Sequence, residues 1–175
     1  MPASGKSTCA EYIGKKRNVT HIRMNEFIWN WLEDKGIRKS NMTGAMFGLY
    51  LHIVYKDSPI IRWTKRQIRK HKKSKVILLD SLRTYEEYLS YKRKYGRRIF
   101  LVAIVTSPAS RKERAIRRAR FGDTSERSFE MRDAEELKRG IGSVIAMADY
   151  YVNGELPIPK MLKEMEKIYN KILRR

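Results

Sequence analysis

Residues 1–8, with the sequence MPASGKST, decide the fold that we expect for the rest of the chain. Gly5, Lys6 and Ser7 form the end of the phosphate-binding (Walker A) pattern G-x-x-x-x-G-K-[S/T], whose first glycine would fall one position before Met1. In this pattern backbone N–H groups at the start of a helix bind phosphate oxygens, the lysine reaches the β- and γ-phosphates, and the serine binds Mg²⁺. The alternative is a flexible N-terminus that leads into a capped helix.

The composition fits a folded domain that attracts anions. The chain has 175 residues, of which 42% are hydrophobic and 33% charged, a composition of neither a disordered nor a membrane protein. The single cysteine, Cys9, excludes an internal disulfide and predicts a cytoplasmic location. A net charge of +20 predicts a polyanionic partner such as a nucleotide or a nucleic acid. The alternative is a basic surface of the kind that some heat-adapted proteins carry.

Apolar runs and amphipathic segments alternate along the chain. Continuous apolar runs predict buried parallel strands at Lys75–Asp80 and Arg98–Ser107. Shorter strands are predicted at Val19–Ile22 and Tyr150–Val152. The predicted helices are Ser7–Arg17, Met24–Lys35, Thr43–Lys56, Ile60–Lys72, Thr84–Tyr95, Ala109–Arg120, Phe129–Ala148 and Pro159–Leu173. This alternation predicts an α/β fold, a parallel sheet with helices on both faces, whose ligands bind at the carboxyl ends of the strands.

A carboxylate and a guanidinium group follow the strand predicted at Lys75–Asp80. Asp80 ends this strand, where a carboxylate can hold Mg²⁺ or its water ligands beside the phosphate-binding loop. Arg83 lies three residues later and can bind a phosphate through two parallel hydrogen bonds. The alternative for Asp80 is to cap the next helix. Because the strand is apolar right up to Asp80, the sequence favours the metal-binding role.

Arginines cluster in the segment SPASRKERAIRRARFGD. Arg111, Arg114 and Arg118 recur at helical spacing with Arg117 beside them, so several can share one helix face. Such a face can supply the cations of a lid that closes over a phosphoryl group and excludes water. Arg132, in the next predicted helix, is a further candidate lid cation. The alternative for this face is a solvated basic surface.

The densest basic run of the chain is RWTKRQIRKHKKSK, residues Arg62–Lys75. It can contact RNA or DNA through the phosphate backbone, with Trp63 as a stacking platform for a base. The alternative is a solvated helix face, which the sequence alone favours. The scattered histidines and the lone cysteine do not fit a zinc site, and no apolar run is long enough to span a membrane.

Several motifs together resemble those of one family. Asp80-Ser81-Leu82-Arg83 is similar to a strand end D-G-[I/V]-R, and Ser107–Arg114 is similar to S-P-x-x-R-x-x-R. Arg132–Tyr150 is similar to R-D-x-x-E-L-x-x-G-I-G-x-V-I-A-x-A-D-Y, and Met1–Ser7 to M-P-x-S-G-K-S. On these motifs the chain resembles the archaeal adenylate-kinase-related P-loop family, which stands near dephospho-CoA kinase and other nucleoside monophosphate kinases.

The resemblance implies a P-loop nucleoside-triphosphate hydrolase fold with strand order 2-3-1-4-5, in a single kinase-like domain over residues 1–175. A helical monophosphate-binding region would span residues 24–74, and a lid would span residues 109–135. The implied reaction is the Mg²⁺-dependent transfer of a phosphoryl group from ATP to a nucleotide such as AMP. The implied site comprises catalytic cations at Lys6, Arg83, Arg114, Arg118 and Arg132; ATP-binding residues Ser4, Gly5, Lys6, Ser7, Thr8 and Asn153; and metal-binding residues Ser7 and Asp80.

The chain departs from the family at several points. Ser81 replaces a glycine, Leu51-His52 replaces a Leu-Arg pair, and Gly122-Asp123 is all that is left of an acidic pair. These departures leave open a basic nucleic-acid-associated or regulatory nucleotide-binding protein with weak or no kinase activity. The first strand of the family's sheet is also missing from the chain. Because its absence would leave backbone groups of the flanking strands unpaired, either the true translation start lies upstream or the sheet closes up or borrows a strand. Of these, we expect the upstream start.

Overall fold

The computed structural model of the chain describes residues 1–16, 19–38, 58–118 and 125–175, together with residues 44, 47, 48, 50, 51 and 54. Most of the helix predicted at Thr43–Lys56, including His52, lies outside the described residues, as does the pair Gly122-Asp123. The chain divides into two compact units, residues 1–16 with 82–175 and residues 17–81.

Helices and strands alternate as the apolar pattern predicts. The described helices are α1 (Lys6–Gly14), α2 (Glu26–Asp34), α3 (Pro59–Lys70), α4 (Tyr85–Tyr95), α5 (Pro108–Arg118), α6 (Glu126–Lys138), α7 (Ile141–Ala146) and α8 (Ile158–Leu173). The described strands are β1 (Val19–Arg23), β2 (Val76–Asp80), β3 (Val102–Val105) and β4 (Tyr150–Asn153). A short 3₁₀ turn, Gly96–Arg98, follows α4.

The described strands form two parallel pairs. β1 pairs with β2 in a register that places Arg23 opposite Asp80, and β3 pairs with β4 in a register that places Val105 opposite Asn153. These pairs match strands 2-3 and 4-5 of the order that the resemblance implies, and they confirm the predicted α/β class. Residues 1–5, which precede α1, form turns and a bend rather than a strand.

The unit of residues 1–16 and 82–175 is built around β3 and β4. α8 packs against both α1 and β4, while α5 packs against α6. Tyr88 of α4 and the α7 residues Ile141 and Val144 form a buried apolar cluster, against which Met1 also packs. This packing fixes the start of α1 relative to the carboxyl ends of β3 and β4, where the loop Met1–Gly5 lies.

The unit of residues 17–81 has its own apolar core. Ile28 and Leu32 of α2 pack with Phe47 and Leu51, and the rings of Trp31 and Phe47 stack with their centroids 3.8 Å apart. α2 and α3 contact each other, and Ile60 of α3 packs against the same cluster. One side of α3 therefore packs against the core of the unit of residues 17–81.

Two elements differ most from the sequence prediction. The helix predicted across Phe129–Ala148 is divided at Gly140, whose φ of 83° lies in the left-handed region and cannot continue a right-handed helix. The strand predicted at Arg98–Ser107 begins only at Val102. The N–H of Leu101, just before it, instead donates to the Asp149 carboxylate at 2.7 Å. Asp149 thus has a structural role at this strand's start.

Ser81 occupies the position where the resembling family has glycine, and its φ is 77°. An L-residue in this region costs roughly 1–2 kcal/mol because its Cβ approaches its own backbone. A glycine there would remove the strain but would add conformational freedom to the unfolded chain. The backbone at residue 81 is therefore strained because serine replaces the glycine of the resembling family.

We expect Ser81→Gly to raise the free energy of unfolding by about 0.5–1 kcal/mol, the balance of relieved strain and added unfolded-state entropy. Urea titration followed by circular dichroism measures the change. Ser143→Gly, on an exposed position of α7, is the matched control and should lower stability by about 0.5 kcal/mol through helix propensity. A loss of stability in both variants would contradict strain at Ser81.

Candidate functional site

The loop before α1 has the backbone geometry of an anion site. Ala3 and Gly5 have φ angles of 54° and 95°, and Gly5 is the N-cap of α1, with its carbonyl accepting the Cys9 N–H at 3.1 Å. The first N–H groups of a helix have no partner within it, and they form the positive end of the helix dipole. Lys6 and Ser7 begin α1, so their backbone N–H groups belong to this positive end.

Residues that directly follow β3 and β4 fix the position of the loop. The Thr106 hydroxyl donates to the carbonyl of Ser4 at 3.1 Å, and Ser4 is only 2% exposed. Gly154 follows β4 and packs against the same carbonyl. A Cβ on Gly154 would overlap the Thr106 Oγ1 atom and lie 2.8 Å from the Ser4 carbonyl oxygen. The loop therefore depends on a glycine at the end of the neighbouring strand.

A cavity of about 610 Å³ opens beside the loop, entirely within the unit of residues 1–16 and 82–175. It combines cations, backbone of the loop and apolar side chains. The lining residues are Ala3, Gly5 and Thr8 of the loop region, Arg114, Arg117 and Arg118 of α5, and Gly154, Glu155, Leu156, Pro157, Ile158 and Met161. The cavity thus offers a cationic wall for phosphates and an apolar wall for a base.

Arg114 ties α5 to the segment that follows β4. Its guanidinium group donates to the Gly154 carbonyl at 2.8 Å and lies 3.9 Å from the Glu155 carboxylate. That carboxylate also accepts the Ser107 N–H at 2.6 Å, and the Asn153 side chain accepts the Glu155 N–H at 2.9 Å. Arg114 and Asn153, both predicted as site residues, thus help to build the wall of the cavity.

Glu136, which the sequence did not single out, lies near two of the predicted catalytic cations, Arg83 and Lys6. The Arg83 guanidinium donates to its carboxylate, while the Arg83 backbone N–H donates to Glu87 at 2.8 Å. Burial raises the pKa of Glu136, but the positive charges of Arg83 and Lys6 outweigh this effect and keep the pKa below its ordinary value. A signal was present in the sequence, because Glu136 is the glutamate of the R-D-x-x-E-L motif.

The remaining arginines have different surroundings. Arg111 is 4% exposed; it pairs with Asp133 through both terminal nitrogens and donates from Nε to the Thr106 carbonyl at 3.2 Å. It therefore joins α5, α6 and the end of β3. Arg118 lines the cavity, and Arg132 is half-buried on α6. Arg132 lies four residues before Glu136, so both are on one face of the helix.

Asp80 lies in the other unit, at the carboxyl end of β2. Its carbonyl accepts the Met24 N–H at 3.0 Å, and its carboxylate lies 3.7 Å from His21 Nε2. Asp80 does not cap the next helix. That cap is Thr84, whose hydroxyl accepts the Glu87 N–H at 3.1 Å. The sharing of one metal ion by Ser7 and Asp80 stays a prediction.

Comparison with known proteins identifies the family. A family model described as "AAA domain" matches residues 1–138. The chain is 31% identical to a UPF0200 protein of Thermococcus onnurineus (strain NA1), over 99% of this chain and 95% of the relative. The chain belongs to the UPF0200 family of archaeal P-loop proteins. A UPF0200 protein of Saccharolobus islandicus (strain Y.G.57.14 / Yellowstone #1) is 30% identical, over 99% of this chain and 91% of that protein.

Membership of the UPF0200 family confirms the predicted P-loop fold and the family resemblance. For function, this membership indicates nucleotide binding by a P-loop, kinase-like domain. Within the described ranges, no helix is long and apolar enough to cross a membrane. The same residues contain no cluster of three or more His, Cys, Asp or Glu side chains that could hold a metal ion.

We expect Gly154→Ala to lower the free energy of unfolding by about 1–3 kcal/mol, because the added methyl group overlaps Thr106 and the loop backbone. Nucleotide binding should weaken with it. Gly142→Ala is the control, since its Cβ would meet only a Leu137 methyl group at 3.9 Å and alanine favours the helix. Thermal unfolding with and without nucleotide measures both effects; an unchanged Gly154→Ala variant would contradict the close packing.

Glu155 makes part of the stability dependent on pH. Hydrogen bonds from the Ser107 N–H, and then from the Ser110 and Ser107 side chains, lower the pKa of Glu155 to about 2 from an ordinary 4.5. A carboxylate with a lowered pKa stabilises the folded state fully above pH 4.5, and this contribution is lost as the pH falls toward 2. Glu155→Gln should therefore be less stable than the parent at pH 7, with a difference that shrinks as the pH falls toward 2.

Urea unfolding at a series of pH values between 2 and 7 measures this difference. Ser110→Ala removes one of the donors and should reproduce part of the effect of Glu155→Gln. A difference that stays constant over the whole pH range would show that the Glu155 charge contributes nothing.

Proposed function

We propose that this protein is a nucleotide kinase that transfers a phosphoryl group from ATP to a nucleotide such as AMP. The observation that carries the proposal is the convergence of the loop with Arg114, Arg117 and Arg118 on one cavity of about 610 Å³. Phosphoryl transfer needs this combination, because catalysis comes mainly from positioning and from cations around the transferred group. The cavity and the loop lie in one compact unit.

The residues of the loop fit the phosphates of ATP. The Ser4 hydroxyl is buried and has no hydrogen-bond partner among the described residues, so it has donor capacity left inside the loop. In the proposal Ser4, Gly5, Lys6, Ser7 and Thr8 bind the phosphates through backbone N–H groups, the lysine ammonium group and hydroxyl groups. Ser7 would help to hold Mg²⁺, which neutralises phosphate charge when it is bound.

Arg83 is proposed to bind the phosphate of the acceptor nucleotide. Glu136 holds the guanidinium group through one terminal nitrogen, and the Arg83 backbone is fixed by Glu87. The Arg83 side chain remains 30% exposed, so its other N–H groups can donate to a ligand. Glu136 is thus a positioning residue for Arg83 and, through its charge, for Lys6.

The base of ATP is proposed to lie against the apolar wall of the cavity. Leu156, Pro157 and Ile158 provide this wall, and Asn153 shapes it from the end of β4. Arg114, Arg118 and Arg132 are the proposed lid cations. Where such a site excludes water, the interaction of these cations with phosphate oxygens becomes stronger.

A regulatory nucleotide-binding protein with weak or no kinase activity is the second candidate. It is favoured by Arg114, whose guanidinium group is bound by Gly154 and Glu155 and so serves the wall of the cavity. This candidate shares the loop chemistry with the kinase. It differs in that ATP binding is not followed by transfer to an acceptor.

We expect Lys6→Ala to lower phosphoryl transfer at least about 100-fold, because the loop lysine stabilises charge that develops on the transferred group. The assay measures ADP formation from ATP and Mg²⁺ with a panel of nucleoside monophosphates. Lys160→Ala, an exposed lysine of α8, is the control and should leave the rate unchanged.

The outcomes separate the two candidates. Full activity in Lys6→Ala would overturn the assigned mechanism. If the parent protein binds ATP in calorimetry but phosphorylates no acceptor, and Lys6→Ala abolishes the binding, the regulatory candidate replaces the kinase.

A further inference from the structure

A concentrated group of cations lies on α3 and the turn that follows it. Arg66, Arg69, Lys70 and Lys72 surround an open hollow of about 520 Å³, and all four side chains are exposed. We call these four residues the α3 basic face. They lie in the unit of residues 17–81 and do not line the cavity beside the loop. The proposed kinase chemistry assigns them no role.

The charge of this face is not balanced by neighbouring carboxylates. Eight Lys and Arg residues and no Asp or Glu lie between Asp57 and Asp80. Elsewhere in the chain, exposed cations do pair, as Lys112 pairs with Glu126. No ion pair of the described residues includes a member of the α3 basic face. The face therefore differs from the mixed-charge ion-pair networks of heat-adapted surfaces.

The spacing of the cations suits a row of phosphates. Arg62, Arg66, Arg69 and Lys70 recur at intervals of three or four residues, so they project from one side of the helix. At a rise of 1.5 Å per residue, this side extends over roughly 12 Å. A nucleic acid presents closely spaced backbone charges, about one per 1.7 Å of duplex axis, and each cation that neutralises a phosphate releases a counterion.

The opposite side of α3 argues against a membrane surface as the partner. Thr64 is fully buried, Ile60 packs against the apolar cluster of α2, and the Trp63 ring lies 6.1 Å from that of Phe27. A helix that lies on a membrane inserts an apolar face between the lipids. The apolar side of α3 is already used by its own unit, which leaves a surface suited to electrostatic contact.

We propose that the α3 basic face binds the phosphodiester backbone of a nucleic acid. The contact is made by exposed guanidinium and ammonium groups. It therefore depends on phosphate charge and does not distinguish one base sequence from another. It does not rest on stacking, because Trp63 packs with Phe27. It is independent of the proposed kinase activity, because the loop and Lys6 take no part in it.

Fluorescence anisotropy with the full chain and labelled 20-nucleotide RNA and 20-base-pair DNA tests the proposal. The variant R66Q/R69Q/K70Q/K72Q removes the α3 basic face. The matched control K160Q/K163Q/K167Q/R174Q removes four exposed cations from α8 and its end, so both variants have the same net charge. Circular dichroism and thermal unfolding establish that each variant folds.

We expect the α3 variant to lose at least 10-fold in affinity at 100 mM salt, and the slope of log K against log[salt] to fall by about 2–4, close to one per lost phosphate contact. The control should change affinity less than 3-fold, and Lys6→Ala should bind as the parent does. The RNA and DNA arms decide which nucleic acid is preferred.

Three results would overturn the proposal. The first is that the parent protein shows no binding at 100 mM salt. The second is that the two quadruple variants lose affinity equally. The third is that polyglutamate or phosphatidylglycerol vesicles bind to the protein as tightly as RNA and DNA do at equal charge. The second result would assign the binding to net charge alone, and the third would assign it to a different class of partner. Loss of kinase activity in Lys6→Ala with intact nucleic-acid binding would leave both proposals standing.

Discussion

The hydrogen bond from the Thr106 hydroxyl to the Ser4 carbonyl connects the end of β3 to the loop that precedes α1. Gly154 makes this contact possible, because it has no side chain to separate β4 from the same carbonyl. With the loop held there, Gly5 can adopt its left-handed conformation and begin α1. The orientation of the first N–H groups of α1, and with it the capacity to bind an anion, follows from this one contact.

Three guanidinium–carboxylate pairs then organise the surroundings of the loop. Arg111 and Asp133 are both largely buried and join two helices, so their bond is part of the core. Arg83 is bound to Glu136 and Arg114 lies near Glu155, and both arginines remain about 30% exposed. A fixed but accessible guanidinium group loses less side-chain entropy when it binds a phosphate. The same kind of ion pair therefore stabilises the core at Arg111 and preorganises the guanidinium groups of Arg83 and Arg114.

The sequence predicts the strands and the loop well because their signals are local. Apolar runs end at polar residues, and the G-K-S-T segment precedes a helix, so the element order follows from pattern alone. The helical pattern alone did not distinguish Arg111 from Arg114, since both lie on one basic helix. What separates them is the position of Asp133, 22 residues later, and of Gly154 at the end of β4. Contacts between distant segments carry no local signal.

Glu136 gives the site an anion of its own. It lies near enough to Lys6 and Arg83 for their charges to keep the pKa of its carboxyl below its ordinary value, so these two cations are partly balanced within the protein. A phosphate that approaches Lys6 therefore also meets a fixed negative charge. Ligands held by a single weak contact are repelled, whereas a ligand that also gains the N–H groups of α1 overcomes the repulsion. This arrangement favours ligands that contact both the Lys6 ammonium group and the start of α1.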